Sequence, residues 1–146
     1  MPYITGVTYT LTLTSGLTKK YTFSPKHRGT ISNDDISKWI ISNNEEAICF
    51  LQSANDDYID GDRGWGFSKD NGIFKIIGGI NIDLILHQLK IAKFTEDHNG
   101  VWHGYPCNLK RKSDKPSKSI LVKWVNNNII SKKEMSKISA YQKCNL

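Results

Sequence analysis

The N-terminal part of the chain alternates between apolar and polar residues. Apolar side chains stand at every second position from Val7 to Leu13, and threonines fill the positions between them. A period of two is typical of a strand with one buried face. Ser15-Gly16 supplies turn residues, and Tyr21 and Phe23 resume the apolar positions on the returning segment. The pattern predicts a β-hairpin over residues 4–23, with the threonines on its polar face.

Helix start signals follow this hairpin. Ser32 stands three residues before Asp35, and Ser42 stands three residues before Glu45. Such spacing is that of a capping box, in which the serine and the acid each bond a free backbone N–H at a helix N-terminus. It predicts two short helices, near residues 33–42 and 43–54.

The middle of the chain carries less regular patterns. Residues 55–72 are acidic and rich in glycine, which predicts a loop or a pair of short strands. A strand is predicted at residues 73–77, and a helix capped by Asn81 over residues 81–92, where dense apolar content leaves a strand as the alternative. Residues 93–105 predict a second hairpin, because His98-Asn99-Gly100 supplies turn residues at its centre.

Two amphipathic helices are predicted at the C-terminal end. Pro116 stands where a first helical turn would begin, and Ser131 and Glu134 have capping-box spacing. Strands and helices in this order predict an α+β fold in a single compact domain. We expect an N-terminal β-hairpin, a small and mostly antiparallel sheet, and short helices that include two basic amphipathic ones at the C-terminus. The expected division is a mixed α+β body at 1–109 and a basic helical segment at 110–146 that packs on it.

The charge of the chain is concentrated at this same end. The formal net charge is +6, and residues 110–143 contain ten Lys and Arg side chains against Asp114 and Glu134. This asymmetry favours an anionic partner, with nucleic acid first and RNA favoured, or else an acidic protein. The alternative is that the lysines only solvate two surface helices. Oligomeric state does not follow from the sequence.

Residues 63–67, Arg-Gly-Trp-Gly-Phe, resemble the first half of the RNP1 motif of RNA-recognition domains, whose aromatic rings stack on bases. The resemblance implies RNA contacts for Arg63, Trp65 and Phe67, and it ends at Ser68. Burial of both aromatic rings in the core is the alternative. The residues predicted to bind nucleic acid are Arg63, Trp65, Phe67, Trp102, Lys110, Arg111, Lys112, Lys115, Lys118, Lys123, Lys132 and Lys133.

Candidate catalytic residues lie in the stretch from 99 to 112. An unperturbed histidine has a pKa near 6.5, so His103 is suited to move a proton in metal-independent RNA cleavage. Tyr105 is predicted to donate a hydrogen bond, and Arg111 to stabilise charge on the phosphate. The alternative is that His103 is a packing or surface residue, since any basic hairpin with a histidine fits this description.

The sequence predicts no metal site and no cofactor. His98, His103, Cys107 and Cys144 have side chains that zinc accepts, but their spacing matches no standard zinc module. Three widely spaced cysteines predict reduced thiols rather than a disulfide framework. No apolar run approaches the roughly 20 residues that span a bilayer. Without a recognisable secretion signal, we expect a cytoplasmic protein without a membrane partner.

The leading hypothesis is a small intracellular protein that binds RNA or another polyanion through its basic C-terminal surface. Cleavage by His103, as in a metal-independent RNase-type toxin, is an extension of it. One alternative is a non-enzymatic protein-interaction module such as an antitoxin, immunity protein or inhibitor. Another is a nucleotide or signalling-molecule pocket lined by Trp65, Trp102 and Tyr105.

Overall fold

The computed structural model describes residues 2–32 and 34–146, which form an α+β fold. Within these ranges the strands are β1 Thr8–Thr12, β2 Thr18–Thr22, β3 Lys38–Trp39, β4 Ile59–Asp60, β5 Arg63–Phe67, β6 Lys69–Asp70, β7 Ile73–Phe74, β8 Gly78–Ile82, β9 Ile85–Leu89, β10 Ile91–Glu96 and β11 Val101–Cys107. The helices are α1 Asn43–Asn55, α2 Lys118–Asn126 and α3 Lys132–Ser139, and a short 3-10 turn covers Pro25–His27. The predicted fold class is therefore confirmed, including the C-terminal helices.

The largest sheet has six strands in the order β1-β2-β11-β10-β5-β4. Its neighbouring strands are antiparallel except β2 and β11, which run parallel and pair only where Val101 faces Lys20 and Trp102 faces Tyr21. A second sheet has the order β3-β8-β9, and β6 pairs with β7. The short parallel pairing leaves most of β11 beside the segment that carries β3.

Helix α1 covers one face of the main sheet. Tyr21, Phe94 and Trp102 are almost fully buried on this face and belong to one core cluster with Phe50 of α1. Close approach of the helix requires a residue without a side chain at Gly66, where an added Cβ would lie 3.0 Å from the carbonyl oxygen of Cys49. Glycine at this position lets α1 lie directly on β5.

Helices α2 and α3 cover part of the opposite face. Phe67, Ile91 and Cys107 lie next to one another on β5, β10 and β11, and they are buried in one cluster with Leu121 and Trp124 of α2. Because side chains alternate along a strand, Arg63, Thr95 and His103 share this face at its other end. The two helices therefore do not cover the end of this sheet face where Arg63, Thr95 and His103 lie.

Both predicted hairpins are present. The first is β1 and β2, in which Leu11, Tyr21 and Phe23 are buried as the alternation predicts. The second is β10 and β11, joined through residues 97–100. The capping boxes at Ser42 and Ser131 are formed as well, each with reciprocal bonds to the glutamate three residues later.

The helix predicted near residues 33–42 is wrong. Asp34 accepts hydrogen bonds from Ser32 and from the backbone N–H of Ile36, and Asp35 has φ of 59°, outside the helical region. These local side-chain bonds give the backbone an alternative to the helix. Strand β3 follows, and Asn33 lies outside the described residues.

The helix predicted over residues 81–92 is also wrong, and the strand alternative holds. Strands β8 and β9 form a hairpin whose two turn residues, Asp83 and Leu84, have φ of 52° and 64°. Two consecutive positive φ values are those of a type I′ hairpin turn. Pro116 precedes the N-cap Ser117 of α2 instead of opening its first turn. In the part of the chain that the structure describes, no helix could cross a membrane.

Candidate functional site

A row of polar residues crosses the end of the sheet face that α2 and α3 leave uncovered. Thr8 pairs with Thr22, and Thr95 pairs with both His103 and Arg63. Alternation from the Lys20–Val101 pair places Thr22 on the same face as His103. We call these five residues the open row. All five are partly or fully exposed, so a ligand could reach them.

His103 lies at the centre of the open row. Its Nε2 atom is 3.1 Å from the Thr95 hydroxyl oxygen, which fixes the ring against β10. The side chain is half-buried, and His103 is the first residue of β11 beyond the short pairing with β2. His103 is therefore partly accessible, and its proton-transfer role stays a prediction.

His27 is a neighbour of His103 that the sequence analysis did not select. Its ring stacks on that of Tyr105, with centroids 5.0 Å apart and planes 20° apart. The Nδ1 atom is 2.8 Å from the carbonyl oxygen of Ser37. A carbonyl only accepts, so Nδ1 carries the hydrogen and Nε2 keeps its lone pair in the neutral ring.

Burial lowers the pKa of His27, and the positive charges of Lys26, Lys38 and His103 lower it further. The hydrogen bond to the Ser37 carbonyl oxygen acts in the opposite direction and raises it. The neutral form of this histidine is thus favoured by its surroundings.

A buried carboxylate anchors the segment that carries His27. Glu46 of α1 is 1% exposed, accepts a hydrogen bond of 2.6 Å from the Tyr21 hydroxyl, and forms an ion pair of 2.6 Å with Arg28. Arg28 also donates to the carbonyl oxygen of Ile41. Burial raises the pKa of Glu46, while the bonds from Tyr21 and Arg28 act to lower it. These contacts hold the residue that follows His27 against the core.

Asp114 holds the loop between β11 and α2 onto the sheet. This residue is 4% exposed, and its carboxylate accepts hydrogen bonds from the Tyr105 hydroxyl at 2.7 Å and from the backbone N–H of Asn108 at 3.3 Å. Its backbone carbonyl accepts from Trp65 Nε1 at 2.8 Å. In addition, the buried Lys93 donates to the carbonyl oxygen of Ser113. The loop is thereby fixed to three neighbouring strands.

This fixed loop presents the basic turn, which we define as Lys110, Arg111 and Lys112. All three side chains are exposed. Arg111 donates to the carbonyl oxygen of Asp35 at 3.4 Å, and its charge counteracts the raised pKa of Tyr105. Arg111 therefore lies near Tyr105, whereas Lys110 lines a cavity at the Cys107 end of β11, together with β9 and residues 142–146.

The other predicted lysines are distributed over α2, α3 and the segment before α2. Lys118 and Lys123 are about 140° apart around the axis of α2, so they lie on its two flanks. Lys123 forms an ion pair of 3.0 Å with Asp57, and Lys115 donates to the carbonyl oxygen of Ser139. Lys132 and Lys133 are exposed on the first turn of α3.

The aromatic residues predicted to stack on bases are inside the protein. Trp65, Phe67 and Trp102 are 0%, 4% and 1% exposed. Their rings are therefore inaccessible to a base, and the core alternative is correct. Trp65 and Trp102 also belong to clusters on opposite faces of the sheet, so they cannot line one nucleotide pocket with Tyr105. Arg63 is exposed, with its guanidinium 5.7 Å from the Trp65 ring centroid.

The role predicted for the Tyr105 hydroxyl also changes. Its proton is donated to Asp114, and burial together with this bond raises the pKa of Tyr105. Tyr105 is thus a positioning residue that holds Asp114 and supports the His27 ring. The contact of Arg111 with a phosphate stays a prediction.

The zinc-compatible side chains are dispersed. His98 is in the exposed turn between β10 and β11, while Cys107 is buried under the C-terminal helices. Among the described residues, no group of three or more His, Cys, Asp or Glu side chains is arranged to hold a metal ion.

Comparison of the chain with family models, with curated proteins and with solved structures finds no match.

Proposed function

We propose that this protein binds RNA, or another polyanion, across the open row and the basic turn. The observation that supports the proposal is the exposed basic turn, which stands on the loop that Asp114 anchors to Tyr105, two residues from His103 on the same face of β11. A phosphate backbone passing over the open row would meet this turn at one side and Arg63 on β5. Lysine and arginine side chains of this kind contact phosphates without reading sequence.

The ion-pair pattern supports this choice of surface. The ion pairs in the described ranges join Arg28 to Glu46, Lys75 to Glu45 and Lys123 to Asp57. The basic turn takes part in none of these, and the carboxylate of Asp114 in the same loop accepts bonds from Tyr105 and Asn108 instead. Its three positive charges are therefore available to an anionic ligand.

The salt dependence of binding tests the proposal. The basic turn, Arg63 and the exposed Lys20 on the same face offer about five contacts to a single-stranded RNA. About 0.7 counterion is released per contact on single strands, so affinity should fall about 100-fold between 50 and 200 mM salt. The measurement is fluorescence anisotropy with a labelled mixed-sequence RNA of 20 nucleotides. An affinity independent of salt would contradict the proposal.

A matched pair of double variants locates the surface. Lys110→Gln with Lys112→Gln removes two contacts, which should flatten the slope of log affinity against log salt by about 1.4 and weaken binding about tenfold at 0.15 M salt. Lys75→Gln with Lys137→Gln removes the same charge elsewhere and should leave affinity within about twofold. Equal losses in both would assign the effect to net charge alone.

The same titration separates RNA binding from the protein-interaction alternative. An antitoxin, immunity protein or inhibitor would bind one protein partner and show no salt-dependent affinity for RNA. If the RNA affinity is absent and a single acidic protein is instead retained through the basic turn, the interaction module replaces our proposal.

A further inference from the structure

His27 and His103 approach one another from distant parts of the chain. Tyr105, which carries the stacked ring of His27, is two residues from His103 on the same face of β11. Two residues of a strand span about 7 Å, so the Tyr105 ring on which His27 stacks and the side chain of His103 leave β11 about that far apart. The loop that carries the basic turn is anchored to Tyr105 through Asp114.

The hydrogen bonds of the two rings differ in a way that suits opposite roles. In His27 the Nδ1 hydrogen is donated to the Ser37 carbonyl oxygen, which leaves the Nε2 lone pair available to accept a proton. In His103 the Nε2 atom faces the Thr95 hydroxyl, which leaves Nδ1 of the protonated ring available to donate. One ring is therefore prepared as a base, and the other can act as an acid.

We propose that His27 and His103 are a general base and a general acid that together cleave RNA by transesterification. The proposal rests on the proposed function, because the RNA must lie across the open row. His27 Nε2 takes the proton of a ribose 2′-hydroxyl, whose oxygen forms a bond to phosphorus. The bond from phosphorus to the 5′ oxygen breaks, and that oxygen receives the proton of His103 Nδ1. The products are a 2′,3′-cyclic phosphate and a free 5′-hydroxyl.

Burial, which lowers the pKa of His27, agrees with this assignment, since a base must be neutral before it accepts the proton. Thr95 and Ser37 act as positioning residues that fix the two rings. Arg111 and Arg63 supply positive charge on the two sides of the reacting phosphate, where negative charge increases in the transition state.

The experiment compares binding and cleavage of one RNA in the presence of a metal chelator. Wild type should produce fragments that end in 2′,3′-cyclic phosphate, identified by mass spectrometry. His27→Gln and His103→Gln should each lower the cleavage rate about 100-fold or more, the usual contribution of general acid–base catalysis, with affinity changed less than threefold. His87→Gln, on β9 of the second sheet, is the matched control and should cleave as wild type does.

A substrate control keeps the test independent of how the variants fold. RNA of the same sequence with 2′-O-methyl groups should bind wild type with unchanged salt dependence and stay intact, because the attacking hydroxyl is blocked. Binding of ordinary RNA without cleavage would overturn the histidine pair and leave the proposed function standing. Cleavage by His27→Gln at the wild-type rate would also overturn the pair. Absence of salt-dependent RNA binding would overturn both proposals.

Discussion

Substitution of Asp114 by asparagine would test whether one carboxylate fixes the basic turn. The carboxylate accepts hydrogen bonds from the Tyr105 hydroxyl and from the Asn108 backbone N–H while almost fully buried. An asparagine side chain has only one oxygen, so its NH₂ group would face one of these two donors. The Asp114→Asn variant therefore loses at least one bond to a charged acceptor.

The loss should open the loop locally before it unfolds the protein. A hydrogen bond to a charged group contributes about 1.5–3 kcal/mol, so we take about 2 kcal/mol for the variant. At 1.4 kcal/mol per factor of ten, the open form of the loop should become about 30 times more populated. Because the bonds of Asp114 connect this loop to the sheet, the effect should concentrate at residues 108–115.

Limited proteolysis with trypsin measures this opening directly, because trypsin cuts after the Lys and Arg side chains of the basic turn. Under conditions where cleavage follows the population of the open form, Asp114→Asn should be cut at residues 110–112 about 30 times faster than wild type. Asp62→Asn, an exposed carboxylate in the turn before β5, is the control and should match wild type. Equal cleavage rates at residues 110–112 for Asp114→Asn and wild type would refute the idea that the Asp114 carboxylate fixes the basic turn.

Two further predictions concern the pKa values of buried groups. Because burial lowers the pKa of His27, the unfolded chain binds the proton more tightly, and the free energy of unfolding should fall as the pH drops below about 6.5. Urea titrations at pH 5.5 and 7.5 measure this fall, and His27→Gln should make it smaller. A fall of the same size in His27→Gln and wild type would contradict the lowered pKa of His27. Burial raises the pKa of Cys49 to about 12, and burial also raises the pKa of Cys107. A thiol reagent at pH 8 should therefore label only the partly exposed Cys144 in the native protein and all three cysteines in urea, as counted by mass spectrometry. Rapid labelling of Cys49 in the native protein would argue against its burial.

Local sequence patterns predicted the strands and helices that neighbouring residues determine. The alternation around Leu11 and Tyr21 indicated a strand because burial on one face imposes a period of two. The spacing of Ser42 and Glu45 indicated a helix, and its apolar residues then pack on the sheet. The same spacing at Ser32 predicted a helix that does not form. Asp34 instead accepts hydrogen bonds from the Ser32 side chain and the Ile36 backbone, and a short helix is stable only where packing supports it.

The candidate site could be predicted only in part. His103 and the basic turn are close in sequence, so the hairpin and the following loop pointed to both. His27 gave no such signal, because its relation to His103 arises from packing on Tyr105, far away along the chain. Burial of Trp65 and Trp102 likewise depends on which helix covers which face, and neither a motif nor a hydropathy pattern carries that information.

The short parallel pairing between β2 and β11 explains how His27 comes to lie on Tyr105 of β11. These strands pair only at Val101 and Trp102, so the chain after β2 does not continue alongside His103. It turns away instead, and the buried contact of Arg28 with Glu46 then returns the 3-10 turn to β11 at Tyr105. A longer pairing would satisfy the backbone of β11 with β2 and exclude His27 from that edge. His27 thus reaches the ring of Tyr105, two residues from His103, because a strand ends early, a consequence of topology rather than of any local sequence feature.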